Sequence, residues 1–248
     1  MKEQEWYTTS EKVKMPKLIY GTAWKKDKTT ELVIKAVKLG FKGIDTACQP
    51  KHYNEPLVGE ALLSLKKDGI DRESLFLQTK FTSINGQDPN QIPYDKNAPL
   101  EIQVAQSFET SKKNLLTYYV DSLVLHSPMG SQALNLKVWN AMEKIYLENG
   151  AKQLGISNCY DLNVFKSLYN SVKIKPAVVQ NRFYSTSDYD KELRVWCAKN
   201  GVIYQSFWTL TANPDKLESK VIKEIAQKFG KTSPQVFFRY LTQIGIAP

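Results

Sequence analysis

Short runs of apolar residues alternate with longer stretches of helical period along almost the whole chain. Leu18 to Gly21 reads as a strand. Thr29 and Thr30 then cap a helix with Leu32, Val33, Ala36, Val37 and Leu39 on one face, ended by Gly40. Gly43-Ile44-Asp45 is a short strand, and beyond a loop Pro56 opens a helix in which Leu57, Val58, Ala61, Leu62 and Leu65 recur at helical spacing. Residues 74–80 (SLFLQTK) read as a third strand. Residues 82–99 hold three prolines and no clear period, which predicts a long surface loop of the kind that covers a site. A helix over 100–117 leads into an apolar strand, 121–126, that runs directly into His126. The pattern then repeats: helix 135–148 and strand 153–157, helix 161–170 and strand 177–181, helix 189–199 and strand 202–206. Helices 218–229 and 234–242 lead to a last strand at 245–248.

Eight strands separated by helices, with no break in composition, predict a single domain over 1–248. Continuously apolar short strands between amphipathic helices indicate a parallel sheet covered by helices, and eight such units match a closed (β/α)8 TIM barrel. The eighth strand is expected to be truncated at Ala247-Pro248, with no sequence for a final outer helix and with apolar surface left exposed in consequence. The rival, an open doubly wound sheet, usually carries a glycine-rich phosphate turn, and no GxGxxG occurs here. Gly230-Lys231-Thr232 resembles the tail of a P-loop but lies between two helices; a helix stop followed by a capping threonine explains it better.

Composition narrows the chemistry. Of 248 residues, 42% are hydrophobic and 24% charged, as in a soluble globular protein. No apolar run reaches the roughly 18 residues of a membrane span and the N-terminus is polar, so neither a span nor a secretory signal is expected and the cytoplasm is the expected compartment. Cys48, Cys159 and Cys197 are too far apart for a metal or redox pair, and with only His52 and His126 beside them a protein-built metal site is not expected. The net charge of +9 could suit a nucleic acid or a phosphorylated small molecule. The lysines are spread as singles and pairs, however, which favours a solvated basic surface over a nucleic-acid patch.

In such a barrel the active site lies at the carboxyl ends of the strands. Those ends carry Asp45, Lys80, His126, Ser157-Asn158, Gln180-Asn181 and Ser206-Phe207-Trp208. An acid, a lysine and the one strand-end histidine on consecutive strands suggest a shared cavity, with Asp45 and Lys80 close enough for a partly buried ion pair. GIDTA at 43–47, Tyr53-Asn54-Glu55 with VGEAL at 58–62, QTKF at 78–81, DSLVLHSP at 121–128, LGISNC at 154–159 and VVQNRF at 178–183 together resemble the successive signatures of the aldo-keto reductase family. The similarity runs from about Met15 to the last residue.

The resemblance implies an NADPH-dependent reductase of aldehyde or ketone carbonyls, acting through Asp45, Tyr53, Lys80 and His126. Carbonyl reduction needs a general acid within reach of the developing alkoxide. Tyr53 is the candidate, with Lys80 the cation that would stabilise its phenolate, Asp45 the partner of Lys80, and His126 a donor to the substrate oxygen. The family pattern places its tyrosine five residues after the aspartate, where this chain has Pro50; Tyr53 lies in a longer Lys-His-Tyr loop, with His52 the weaker candidate. Gly21, Thr22, Asp45, Ser157, Asn158, Gln180, Ser206, Phe207, Trp208 and Leu210 are expected along the cofactor, Phe207 as the ring stacked on the nicotinamide. Trp24, Tyr53, Phe81 and His126 are expected around the substrate. The segment that would grip a 2′-phosphate is absent, so NADH stays open beside NADPH. A cofactor-binding regulatory barrel with negligible turnover is the alternative function. The oligomeric state and the physiological substrate are not legible.

Overall fold

The computed structural model describes residues 5–248. An antiparallel hairpin, β1 (Trp6–Thr8) and β2 (Lys14–Pro16), precedes a parallel sheet of eight strands: β3 (Ile19–Gly21), β4 (Gly43–Asp45), β5 (Phe76–Phe81), β6 (Ser122–Leu125), β7 (Leu154–Ser157), β8 (Val178–Arg182), β9 (Ile203–Phe207) and β10 (Ile246–Ala247). Each strand of the sheet pairs with the next one along the chain. The eighth strand is only two residues long. It pairs with β9, and the Ile19 N–H donates to the Pro248 carbonyl at 3.0 Å, which brings the first and last strands of the ring together.

Between the strands run α1 (Thr29–Lys38), α2 (Glu55–Lys67), α3 (Leu100–Leu115), α4 (Gln132–Leu147), α5 (Leu162–Ser171), α6 (Lys191–Lys199), α7 (Pro214–Leu217), α8 (Lys220–Phe229) and α9 (Ser233–Gln243). The fold is the (β/α)8 barrel that the alternation predicts. Thr232 caps α9 in a reciprocal capping box with Gln235, so the Gly-Lys-Thr triplet ends one helix and starts the next. Among the described residues no helix is long and apolar enough to cross a membrane. The outer face of α8 leaves Val221, Ile225 and Phe229 exposed, one turn apart.

Two cores follow from strand alternation. Along β5, Leu77 and Phe81 point outward into the layer under the helices, with Trp139, Met142, Phe165 and Leu241, while Phe76 belongs to a separate cluster inside the barrel. That inner cluster joins Phe76, Val124, Val178 and Ala247 to Val13 and Met15 of the hairpin. The hairpin was not legible from the sequence, because its three-residue strands carry no apolar period. It plugs the N-terminal mouth of the barrel, with Met15 fully buried and the Tyr7 hydroxyl donating to the Thr242 and Ile246 carbonyls at 3.2 and 3.3 Å. Met15→Ala is therefore expected to destabilise the fold by about 2–5 kcal/mol, read as a lower urea midpoint.

Candidate active site

Above the plug the inward positions of the strands turn polar. Asp45 of β4 and Lys80 of β5 form a buried ion pair: Lys80 Nζ lies 2.6 Å from both carboxylate oxygens and donates also to the Thr46 carbonyl at 2.8 Å. Lys80 is 1% exposed and Asp45 8%, so the pair is out of bulk water. Burial lowers the pKa of Lys80, and the Asp45 charge opposes it.

The segment 46–54 folds against β5 and β3 and brings Tyr53 over this pair. Backbone N–H groups of Thr46 and Cys48 donate to the carbonyls of Gln78 and Lys80, and those of His52 and Tyr53 both donate to the Gln49 carbonyl. The turn through Pro50 and Lys51 thus points outward and the chain returns at Tyr53. Glu55, the first residue of α2, anchors that return: it is buried and accepts from Thr79 Oγ1, from Ser111 Oγ at 2.9 Å and from Asn114 Nδ2 at 3.4 Å. Lys80 Nζ lies 5.1 Å from the Tyr53 ring centre, and the His126 ring stands edge-on to Tyr53 at 5.9 Å. Burial, then the Asp45 charge, pushes the Tyr53 phenol well above its ordinary value. The expected depression by Lys80 does not outweigh these two causes.

His126 Nδ1 meets Thr82 Oγ1 at 2.6 Å. Burial and the nearby Lys80 charge hold its pKa well below the usual imidazole range, so the ring is neutral. Thr82 is itself held in place, its carbonyl accepting from Gln87 Nε2 at 3.1 Å and from the Tyr94 hydroxyl at 2.8 Å. The loop 82–99 thus does two things: Thr82, Ser83, Asn85 and Gly86 border the site, whereas Tyr94 is buried in the outer core.

Asp45, Tyr53, Thr82 and His126 border a cleft of about 1090 Å³ across the C-terminal face of the barrel, with Lys80 buried behind them; its volume is just above the usual range of small-molecule sites. Gly21, Asp45, Ser157, Asn158, Gln180, Ser206, Phe207, Trp208 and Leu210 all border it, as do Trp24, Tyr53 and His126. Ser157 Oγ donates to the Gln180 carbonyl at 2.7 Å, Asn158 Nδ2 to the His126 carbonyl at 2.9 Å, and Ser206 Oγ pairs with Thr209 Oγ1 at 2.8 Å. Trp24 is half exposed at the rim, its ring 4.1 Å from that of His52. A second concavity of about 860 Å³ lies at the opposite end, beside the hairpin, and contains none of these groups.

Two expected lining residues are corrected. Phe81 does not face the substrate: it is 1% exposed and packs against Tyr94 in the outer core, because Lys80 takes the inward position and its neighbour on a strand must point away. Thr22 does not border the cleft; it is fully buried and its hydroxyl donates to the Asp45 carbonyl at 2.9 Å. Residues that sequence reasoning passed over are Gln78, Gln205, Thr82 and Arg182. Counting two positions back from Lys80 and from Phe207 along their strands finds Gln78 and Gln205 on the inward face. The Arg182 guanidinium stacks on Trp208 at 4.1 Å, and its buried Nε has no hydrogen-bond partner among the described residues.

An eight-stranded parallel barrel with a buried Lys-Asp pair, a tyrosine and a histidine beside a mixed apolar and polar cleft at the C-terminal face defines a class of enzyme scaffold. The Aldo/keto reductase family model matches residues 17–246, and the chain belongs to that family. It is 30% identical over 220 residues to the glyoxal reductase of Bacillus subtilis, covering 89% of this chain and 71% of that one. It is 26% identical to the methylglyoxal reductase DkgA of Escherichia coli K12, covering 94% and 77%. Among solved structures, an aldo/keto reductase from Brucella melitensis superposes with a TM-score of 0.79 at 27% identity, over 98% of this chain and 86% of that one. An aldo-keto reductase complexed with NADPH shares the fold with a TM-score of 0.80 at 24% identity, over 98% and 77%.

Two outcomes follow from the site's electrostatics. Removing one member of a buried ion pair strands the other, so Lys80→Met is expected to cost about 3–5 kcal/mol. The double variant Asp45→Asn, Lys80→Met should recover most of that loss in urea unfolding. The depressed pKa of His126 means that, below about pH 6.5, the unfolded chain binds a proton that the folded chain refuses. Its contribution is complete above that pH and is lost as pH falls toward the folded value, by at most about 1.4 kcal/mol per pH unit and less because the ring borders solvent. His126→Gln should flatten the urea midpoint's dependence on pH below about 6.5.

Proposed function

We propose that the protein is an NADPH-dependent reductase that converts small aldehydes and ketones to alcohols, with Tyr53 as the proton donor. The observation that carries this reading is the convergence of Tyr53 and His126 on the buried Lys80–Asp45 pair beside the cleft. A phenol whose pKa is raised keeps its proton through the neutral range, which is the form a general acid needs. As charge develops on the carbonyl oxygen, Tyr53 gives up that proton, and the Lys80 ammonium beside the ring offsets the phenolate left behind. Asp45 keeps Lys80 charged against the cost of its burial. The neutral His126 orients the substrate oxygen through Nε2–H, which requires the tautomer in which Nδ1 accepts from the Thr82 hydroxyl, one of the two that their 2.6 Å contact allows.

When bound, the nicotinamide supplies the hydride that adds to the carbonyl carbon. The residues of the cleft fit such a group. Ser157, Asn158 and Gln180 offer the hydroxyl and amides that suit a carboxamide. The flat faces of Phe207 and Trp208 suit an aromatic ring, and the Arg182 guanidinium in the cleft wall suits a phosphate. The similarity to glyoxal and methylglyoxal reductases favours small dicarbonyls as substrates. All three cysteines are free and buried, in keeping with a reducing compartment, the cytoplasm.

Tyr53→Phe is expected to lower kcat for methylglyoxal by about 10²–10⁴-fold, while the dissociation constant for NADPH, read from tryptophan fluorescence, stays within about twofold because no cofactor contact is assigned to the hydroxyl. Full turnover in that variant would remove Tyr53 as the acid. Turnover below detection in the parent protein, with NADPH bound, would favour a cofactor-binding regulatory barrel.

A further inference from the structure

Three glutamines cross the barrel interior at the floor of the cleft, which Gln180 and Gln205 border and Gln78 does not. Gln78 and Gln205, from strands on opposite sides of the ring, are 0% and 1% exposed, and Gln180 is 6% exposed. Gln78 Nε2 donates to Asp45 Oδ1 at 2.7 Å and to Gln205 Oε1 at 2.9 Å. Gln205 Nε2 returns a bond to Gln78 Oε1 at 3.1 Å and places its second N–H on Met15 Sδ, also at 3.1 Å. Gln180 Nε2 donates to Gln205 Oε1 at 3.1 Å. Every N–H of the two buried amides is therefore committed.

This chain has a direction. A carboxylate has no proton to donate, so Gln78 must turn its NH2 toward Asp45; the reverse orientation would set two buried oxygens against each other. The reciprocal Gln78–Gln205 pair then fixes Gln205, whose Oε1 accepts from both of its neighbours. Gln180 is left one orientation, NH2 inward, which keeps its Oε1 for the cleft that it borders. The Gln78–Gln205 pair is rigid, because flipping either amide breaks at least two bonds out of reach of water, and a flipped Gln180 would lose its one bond and set its Oε1 against that of Gln205.

We propose that Gln78 and Gln205 are positioning residues that carry the sign of the Asp45 charge across the barrel to Gln180, so that its amide presents an acceptor oxygen to the carboxamide NH2 of a bound nicotinamide. The proposal rests on the reductase reading and deepens it: the carboxylate that holds the lysine also sets how the cofactor's amide is recognised.

The test compares NADPH with its reduced 3-acetylpyridine analogue, whose methyl ketone cannot donate a hydrogen bond. Dissociation constants are read from tryptophan fluorescence with no substrate present. The parent protein is expected to prefer NADPH by about tenfold, the worth of roughly one well-placed buried hydrogen bond. Gln78→Met and Gln205→Met should each bring that preference to about twofold or less, and the double variant should lower it no further, because the two amides act as one unit. A purely structural role would weaken both ligands alike and leave the ratio intact. Should Gln78→Met fail to fold by circular dichroism, Gln78→Leu, at the one position of the three that does not border the cleft, carries the same comparison. A parent protein that binds both ligands equally, or folded variants that keep the parent ratio, would overturn the relay and leave the reductase reading standing. A parent protein that does not bind NADPH would overturn both.

Discussion

An ammonium group inside a protein needs a carboxylate within reach, and the interior of this barrel is arranged around that requirement. Lys80 could not stay charged at its depth without Asp45, since the desolvation of either ion alone costs several kcal/mol. Asp45 in turn has acceptor positions to fill, and Gln78 fills one of them. The ion pair thus forces a polar layer into what would otherwise be an apolar barrel centre, and that polar layer faces the cleft. Fold and site share one constraint here: the pair has to be kept largely out of water, and the residues that do so also shape the cleft.

Holding the pair dry depends on the other end of the molecule. The hairpin seals the lower mouth with Met15 and Val13, and the Met15 sulfur takes the last N–H of the amide chain. The floor of the site is therefore continuous with the plug. The upper side is supported differently. Glu55 fixes the start of α2, and the loop before it is tied to β5 by backbone bonds, so Tyr53 is presented from a loop with a rigid base. Thr82 does the same for His126, itself pinned by Gln87 and Tyr94. Tyr53 and His126 are thus each held by a buried or pinned neighbour, Glu55 behind the one and Thr82 beside the other, so side chains carried on loops keep a fixed place in the cleft wall.

Arg182, Phe207 and Trp208 also border the cleft. An arginine stacked on an indole keeps its charge while shedding water from its face, so it can meet an anion with less desolvation than a free lysine would need. The +9 net charge is spread over the surface, but this cation is set in the wall of the site. Trp24, Tyr53 and the loop residues beside Thr82 border the same cleft.

Periodicity alone predicted the eight strands, the helices between them and the barrel, because burial under helices demands apolar strands and an amphipathic period that any reader of the chain can count. The strand-end residues Asp45, Lys80, His126 and Gln180 were legible for the same reason: in this architecture position along a strand is position in the site. The sequence did not disclose the hairpin, whose strands are too short for a period, nor the inward side of each strand. Phe81 looks like a pocket aromatic until Lys80 is seen to take the inward place, and Gln78 and Gln205 look like surface glutamines until their strands close on each other. Local pattern follows from the backbone period and is written in the chain. Which face of a strand looks inward, and what it meets 127 residues away as Gln78 meets Gln205, exists only once the ring has closed.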